Sequence, residues 1–240
     1  MTSLLWLRRD LRRTDLPALN AAAADGPVAV VFVLDPAMWA AGGPVRRAWL
    51  AASVQAAREA YEGALAVRVG DPRVVVPDLA RRLGAHAVHV SRETTPAGRR
   101  RDAAVAAELT RSGIGWVETG SPYAVGPGRV VTGQGEPYKV FTPFARAWRE
   151  HGLPAPAAPV SPEWVPAESM VAESMVVESM LAESMVAEAL AAPGLPTLPP
   201  AGEQAALARF AGFLDGGLAA YDTDRDRADL DGTSFMSPYL

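Results

Sequence analysis

The chain has 240 residues, 49% of them hydrophobic, which suits one large domain or one domain with part of another. The formal net charge of −4 at pH 7 gives no overall electrostatic case for nucleic-acid binding, and the absence of cysteine excludes disulfides, thiolate metal sites and cysteine nucleophiles. No apolar run approaches the roughly 20 residues of a membrane span, and the first residues lack the order of a secretory signal, so we expect a cytoplasmic protein and no membrane contact.

Residues 3 to about 120 alternate between short apolar runs, typical of buried strands, and longer stretches with helical spacing. The predicted strands are Leu4–Leu7, Val28–Leu34, Ala64–Val69, Ala87–Ser91 and Gly115–Glu118. The predicted helices between them are Leu16–Ala24, Val45–Tyr61, Val75–Leu83 and Asp102–Arg111. This alternation predicts an α/β fold with a mainly parallel five-stranded sheet and helices on both faces.

Polar groups follow several of the predicted strands, and ligands of parallel sheets bind at the carboxyl ends of the strands. Arg8, Arg9 and Asp10 come directly after the first strand, and a guanidinium suits forked pairing with a carboxylate or a phosphate. Two interpretations remain open for this cluster: a ligand site, or salt bridges that hold the edge of the sheet together.

The three histidines give no expectation of a metal site. His86 and His89 flank the fourth predicted strand at i and i+3, and residues at that spacing in a strand point to opposite faces. The familiar hydrolase and phosphate-loop motifs are also absent from the sequence.

Residues 121–160 are richer in glycine and proline and contain one predicted short helix, Phe144–His151, and Pro154–Pro166 has the composition of a linker. From Ala167 to Ala187 the triplet Glu-Ser-Met recurs every five residues, a period that makes no continuous stripe on a helix. We interpret the repeat as a tandem duplication in a tolerant linker rather than as an amphipathic partner-binding segment. Residues 154–200 are therefore expected to be mobile or irregularly packed.

The last forty residues begin with a predicted helix, Glu203–Tyr221, that places Leu207, Phe210, Leu214, Leu218 and Tyr221 on one face. Near the end, Thr233, Ser234 and Ser237 stand where a new helix opens. Hydroxyls and free N–H groups at such a position either cap an ordinary helix or hold an anion such as a pyrophosphate. Tyr221 and Arg225 would add a phenol and a guanidinium to the second kind of site.

Four blocks of this sequence resemble DNA photolyases and cryptochromes. The blocks are Trp6–Arg12 with Asp15 and Ala18-Leu19; Gly70-Asp71-Pro72; Pro137–Phe144 with Trp148; and Gly202-Glu203, Tyr221 and Arg225-Asp226 with Gly232–Leu240. They occur in the order of the family and cover nearly everything except the repeat.

The resemblance implies a Rossmann-like antenna-chromophore domain over residues 1–130, a linker over 131–200, and the start of an all-helical FAD-binding domain over 201–240. It implies a monomeric photolyase that repairs cyclobutane pyrimidine dimers in DNA with light and FAD. A cryptochrome-like blue-light photoreceptor and a stand-alone nucleotide-binding α/β module are the alternatives.

The resemblance also implies roles for single residues. The FAD contacts would be Tyr221, Thr233, Ser234, Phe235, Met236 and Ser237. Arg225 would lie near the DNA backbone, and Arg8, Arg9 and Asp10 would belong to the antenna domain. Folate-binding members carry Asn-Glu where this chain has Ala97-Gly98, so the resemblance favours a deazaflavin or flavin antenna over folate, with no antenna as the other alternative. The remaining cofactor contacts of the family lie beyond position 240, so we expect an inactive amino-terminal fragment without catalytic residues of its own.

Overall fold

A computed structural model describes residues 1–170 and 176–239. Five strands form one parallel sheet: β1 Ser3–Leu7, β2 Val28–Leu34, β3 Leu65–Val69, β4 Ala87–Val90 and β5 Gly115–Glu118. Their order is β3-β2-β1-β4-β5, so β2 and β3 lie on one side of β1 and β4 and β5 lie on the other. The predicted parallel α/β fold is confirmed, and its topological switch lies between β1 and β4, where ligands of such sheets bind.

In the described chain, proline and capping residues define the first residue of several helices more exactly than hydrophobic periodicity does. They are α1 Pro17–Asp25, α2 Pro36–Ala41, α3 Pro44–Ala60, α4 Pro72–Arg82, α5 Pro96–Arg111, α6 Phe141–His151, α7 Val176–Leu190, α8 Glu203–Gly212 and α9 Leu218–Asp224. The first five start with proline, whose fixed φ suits a helix and which has no N–H to leave unpaired. Asp35 and Asp71, which follow β2 and β3, accept hydrogen bonds from the backbone of α2 and α4. These two carboxylates are therefore helix caps.

Helices cover both faces of the sheet. Alternation along β1 sends Leu5 and Leu7 into a core with α1, α3 and α7, and it sends Leu4 and Trp6 into a second core with α4 and α5. Every residue of β1, β2, β3 and β4 is buried, as expected for strands covered on both sides. Within the described residues, each helix is too short or too polar to cross a membrane.

The segment before and within the repeat packs against the sheet. Backbone hydrogen bonds join Val28, at the start of β2, to Glu163 and Val165 at 2.8 and 2.9 Å. From there the chain reaches the second core through the buried Met170 and returns to the first core with α7. The edge strand β3 is thereby covered by residues predicted to be a linker.

The prediction of mobile or irregular structure over residues 154–200 is wrong for α7. The stripe that α7 buries is made of Ala182, Met185, Val186 and Ala189, so alanine and valine of the repeat supply most of the contact. The methionines do drift around the helix as predicted, since Met180 is 67% exposed while Met185 is partly buried. Residues 171–175 of the repeat lie outside the described part of the chain, and the predicted domain boundaries stay a prediction.

The carboxyl-terminal helices α8 and α9 form one continuous helical segment. A π-helical turn, Phe213–Gly217, joins α8 to α9 with helical dihedral angles at both junctions. The glycine pair Gly216-Gly217 lies in this turn, where weak helix propensity permits the wider winding. The apolar face predicted for this helix is present and exposed: its members are Leu207, Phe210, Leu214, Leu218 and Tyr221.

Candidate functional site

The edge of the sheet formed by the carboxyl ends of its strands contains a buried ion-pair network centred on Arg8. Its guanidinium pairs with Asp102 of α5 and donates to the backbone carbonyl of Ser91, directly after β4. Asp10 accepts a hydrogen bond from the Ser91 hydroxyl. The side chains of Arg8 and Asp102 are only 7% and 5% exposed, so the pair is committed to holding β1, β4 and α5 together. For Arg8 the structure favours the salt-bridge interpretation, while Asp10 is held by the hydrogen bond from Ser91.

Trp6 lies beneath two guanidinium groups of this network. The guanidinium carbons of Arg8 and Arg101 are 5.0 and 4.9 Å from the centre of the Trp6 ring. Arg101 also donates to Asp102 at 2.8 Å. The sequence drew attention to Arg8 alone, and only the fold brings Arg8 and Arg101 to one tryptophan and one carboxylate.

Glu93 is a third buried carboxylate at this edge, beside Asp10 and Asp102. Burial acts to raise the pKa of Glu93, but hydrogen bonds from the backbone N–H groups of Thr95 and Thr94, with the positive charge of Arg8, outweigh it and hold that pKa below its usual range. Arg9 keeps its side chain 49% exposed, and its guanidinium reaches only to 3.9 Å from Glu93. Of the three predicted antenna-domain residues, Arg9 alone retains a guanidinium open to a ligand.

A cleft of about 560 Å³ adjoins this network between α5 and the ends of β4 and β5. Its lining combines Arg92, Arg99, Glu93, Glu118 and Trp116. Within this lining Arg92 pairs with Glu118, and the carboxylate of Asp102 also faces the cleft, so Arg99 and the face of Trp116 are the groups offered to a planar ligand.

The carboxyl-terminal segment docks on α3. The indole N–H of Trp49 donates to the carbonyl of Pro238 at 2.9 Å, and the Trp49 and Tyr239 rings meet edge to face at 5.5 Å. The Tyr239 hydroxyl in turn donates to the Pro200 carbonyl at 2.8 Å. A single helical turn, Ser237–Tyr239, ends the described chain and agrees with the predicted helix opening.

Arg209 of α8 organises the segment that carries the predicted FAD contacts. It donates to the Ser234 carbonyl at 3.0 Å, pairs with Asp231 at 2.9 Å, and places its guanidinium carbon 4.8 Å from the Phe235 ring centre. Phe235 adopts a φ of +49°, in the left-handed region that is unusual for a bulky side chain. No sequence pattern pointed to Arg209, whose role depends on a contact 25 residues away.

The hydroxyls of Thr233, Ser234 and Ser237 make no hydrogen bond to any other described residue, and the same holds for the backbone N–H groups of Ser234, Phe235 and Met236. Uncommitted hydroxyl and N–H donors at the start of a helical turn are the donor set that phosphate oxygens require. The residues present therefore fit the phosphate part of a dinucleotide cofactor.

The two remaining predicted residues lie on α9 and at its end. Tyr221 is 40% exposed and stacks edge to face on Phe213 at 5.9 Å. The Arg225 side chain is 51% exposed and has Asp226 at 3.8 Å. Five aspartates and two arginines occupy residues 222–231, so the surroundings of Arg225 are acidic.

The expectation that His86 and His89 point apart is wrong. His86 precedes the first residue of β4, so the alternation of side chains along a strand does not apply to it. The Nε2 atoms of His86 and His89 instead lie 3.5 and 3.2 Å from Oδ2 of Asp25, the last residue of α1. This cluster lies at the amino-terminal edge of the sheet, opposite the Arg8 network.

The profile of the family described as DNA photolyase matches residues 3–163. A deoxyribodipyrimidine photo-lyase of Thermus thermophilus is 41% identical over 245 aligned residues, which cover 99% of this chain and 50% of the relative. The crystal structure of a bacterial class III photolyase from Agrobacterium tumefaciens is similar with a TM-score of 0.75 at 29% identity, covering 99% of this chain and 49% of that one. An archaeal photolyase from Sulfolobus tokodaii, solved with two FAD molecules, has a TM-score of 0.77 at 18% identity over 100% of this chain and 51% of its own, which shows similarity of fold alone. The chain spans about half the length of these three proteins.

Proposed function

Because the chain belongs to the DNA photolyase family, we propose that it forms the amino-terminal part of a deoxyribodipyrimidine photolyase. The proposed activity is light-driven repair of cyclobutane pyrimidine dimers in DNA, a carbon–carbon lyase reaction. Bound FAD, when reduced and excited by light, supplies the electron that splits the dimer. To that photolyase this chain would contribute the antenna domain and the first residues that contact the cofactor. A cytoplasmic location and a monomeric state belong to the same proposal.

The observation that carries the proposal is the set of uncommitted donors in the carboxyl-terminal segment. Thr233, Ser234 and Ser237 would donate their hydroxyls to the FAD pyrophosphate, with the adjacent backbone N–H groups. Arg209 holds the Ser234 carbonyl and the Phe235 ring, so the donors are positioned before a ligand arrives. Tyr221, Phe235 and Met236 would complete this side of the cofactor site.

The exposed face of α8 and α9 supports the same proposal. Five large apolar side chains on one helical face remain between 40% and 52% exposed. Such a stripe is typical of a helix that packs against further helices. We propose that the part of the family fold outside this chain covers it, and that 240 residues alone bind FAD weakly and repair no dimers.

The DNA contact of Arg225 stays a proposal with limited electrostatic support. Its half-exposed guanidinium suits a phosphodiester, because a charged fork can bind two oxygens at once. The aspartates around it oppose an approaching polyanion. Cationic residues of the remaining half would have to supply most of the attraction to DNA.

We place the proposed antenna chromophore in the cleft beside α5. Its volume of about 560 Å³ lies in the range of ordinary cofactor pockets, and Arg99 and Trp116 suit a planar molecule. A deazaflavin or flavin meets that description. Arg9, the predicted antenna residue with an exposed guanidinium, lies outside the lining of this cleft but approaches Glu93, which belongs to it.

A hybrid protein tests the proposal. Residues 1–240 would be joined to the carboxyl-terminal half of the Thermus thermophilus relative, since the two amino-terminal halves are 41% identical. The readouts are bound flavin per protein, from visible absorption, and loss of thymine dimers from a short oligonucleotide under blue light. We expect stoichiometric flavin and light-dependent repair, and a double variant Thr233→Val with Ser234→Ala should bind FAD about tenfold or more weakly.

The matched control is Ser184→Ala, which removes an exposed hydroxyl that bonds only to Glu188. A folded hybrid without flavin would contradict the proposed FAD site. A hybrid that binds FAD and is photoreduced but leaves dimers intact would instead support a blue-light photoreceptor.

A further inference from the structure

Three potential metal ligands converge at the amino-terminal edge of the sheet. Asp25 ends α1, His86 directly precedes β4, and His89 lies within β4 on the face that α1 covers. One ligand atom from each residue lies within 4.8 Å of the other two. Among residues 1–170 and 176–239, this is the cluster of histidine and carboxylate groups close enough to share one ion.

The distances fit tetrahedral coordination. The two imidazole Nε2 atoms lie 3.5 and 3.2 Å from the same carboxylate oxygen of Asp25. Ligands about 2.1 Å from a tetrahedral zinc ion are separated from one another by about 3.4 Å. The two nitrogen–oxygen distances therefore match two edges of such a tetrahedron, and the ligand atoms of all three residues lie within 4.8 Å of one another.

His89 provides an independent sign of a ligand. Its side chain is fully buried, and neither ring nitrogen has a hydrogen-bond partner among the described residues. The approach of its Nε2 to Asp25 is close enough for an ion pair but is not aligned as a hydrogen bond. Buried polar groups are seldom left without a partner, so an unsatisfied imidazole aimed at a carboxylate calls for an explanation.

His86 is already held in the form that binds metal through Nε2. Its Nδ1 lies 2.9 Å from the backbone carbonyl of Thr2, which can only accept a hydrogen bond. The proton of a neutral ring is thus placed on Nδ1, and the Nε2 lone pair faces Asp25. A backbone acceptor behind a ligating histidine is the usual way in which proteins orient such a ligand.

We propose that Asp25, His86 and His89 bind one divalent transition-metal ion of the zinc class. The Asp25 side chain is 46% exposed, so an ion can enter from solvent and keep a water molecule as its fourth ligand. Imidazole and carboxylate donors suit Zn²⁺ and Co²⁺ better than Mg²⁺ or Ca²⁺. The bound ion would tie the end of α1 to the start of β4, far from the proposed FAD contacts and independent of them.

The test uses the 240-residue chain, stripped of metal and carrying no histidine tag. Its amino terminus stays unmodified, because the Met1 carbonyl lies directly against Gly26 beside the cluster. Zn²⁺ would be titrated by calorimetry, and Co²⁺ would report tetrahedral geometry through its visible absorption. We expect one ion per chain, a tetrahedral cobalt spectrum and a rise in Tm with added Zn²⁺.

Two variants remove ligands with little change in shape. Asp25→Asn keeps the size of the side chain, and His86→Asn keeps a donor for the Thr2 carbonyl while it removes Nε2. Each should weaken Zn²⁺ binding by about tenfold or more and abolish the rise in Tm, since even indirect partners of metal ligands contribute that much. His151→Asn is the matched control, because it changes the histidine outside the cluster and should leave the affinity as it is.

Equal Zn²⁺ affinity in the unmodified chain, Asp25→Asn and His86→Asn would overturn the proposal. So would a chain that binds no Zn²⁺ while circular dichroism shows it to be folded. In either case the cluster would be only an ion pair that holds α1 on the sheet.

Discussion

The carboxylate of Glu203 accepts a hydrogen bond from the backbone N–H of Arg13 over 2.9 Å. The same carboxylate also takes the N–H and the hydroxyl of Thr14. Gly202, directly before it, has a φ of +95°, and a Cβ there would lie 2.6 Å from that of Ala56. The carboxyl-terminal helices are thus tied to the loop after β1 by a carboxylate and by a close backbone approach.

Removal of the Glu203 carboxylate should loosen that tie. We expect Glu203→Ala to cost about 1–3 kcal/mol, because hydrogen bonds to a charged group are lost and two N–H groups are left without their acceptor. Hydrogen exchange should show the amides of Arg13 and Thr14 losing protection. The control is Glu188→Ala, which removes an exposed carboxylate within α7; equal protection at Arg13 in both variants would contradict the anchoring role.

Arg8 should contribute more to the free energy of unfolding than an exposed arginine does. Arg8→Ala leaves the buried Asp102 carboxylate with Arg101 as its remaining partner, and a broken buried pair typically costs about 3–5 kcal/mol. We expect a loss near the lower end of that range in urea unfolding. Arg100→Ala, at an exposed position of α5, should change stability by less than about 0.5 kcal/mol. A loss as small for Arg8→Ala would refute its structural role.

The packing of α7 can be tested with two valines of the same helix. Val186 is 2% exposed in the first core, while Val177 is 73% exposed. Val186→Ala should cost about 1–2.5 kcal/mol through lost burial and an unfilled cavity, whereas Val177→Ala should change stability by less than about 0.5 kcal/mol. Indistinguishable free energies of unfolding would mean that the repeat does not pack on the sheet in solution.

Acidification should lower the free energy of unfolding by protonating Glu93, which lies beside the Arg8 network. Its pKa in the folded protein lies below the unfolded value of about 4.3, so the ionised form stabilises the fold. That stabilisation is present at pH values above the unfolded-state pKa and is lost as the pH falls through the lower folded-state pKa. Glu93→Gln should therefore be less stable at pH 7 and should lose less stability on acidification.

Urea unfolding at neutral pH and at about pH 3, below the unfolded-state pKa, measures this effect. Glu59→Gln, at an exposed position of α3, is the control and should follow the unmodified chain. A Glu93→Gln variant with the same pH dependence as the unmodified chain would show that the fold does not favour the ionised carboxylate.

Helix starts and strands differ in how well the sequence predicted them. The strands were placed to within one residue at either end, because apolar runs bounded by turns mark parallel strands clearly. The fourth predicted helix began six residues late, at Asp102 instead of Pro96, because Arg99, Arg100 and Arg101 hide the apolar spacing. Thr95, which caps this helix, and Pro96 were the available signals.

The repeat shows a different kind of failure. A period of five residues correctly excluded a methionine stripe, but it did not exclude a stripe of small residues. Ala182, Val186 and Ala189 follow helical spacing and become buried only because α3 and β3 lie beside them. Propensity and period alone cannot tell a core helix of this kind from a solvated linker.

The sequence by itself determined the α/β alternation and the family, because both depend on patterns that are local or strictly ordered along the chain. The tertiary structure alone decided which polar groups meet: Arg8 with Asp102, 94 residues away, Glu203 with the loop after β1, and Asp25 with two histidines. Glu203 reaches the loop after β1 through the docking of the carboxyl-terminal helices. The other two encounters follow from the strand order β3-β2-β1-β4-β5 and its register. Neither the strand order nor the register can be read from the spacing of residues along the chain, because strand order depends on the free energy of packing the whole sheet between its helices.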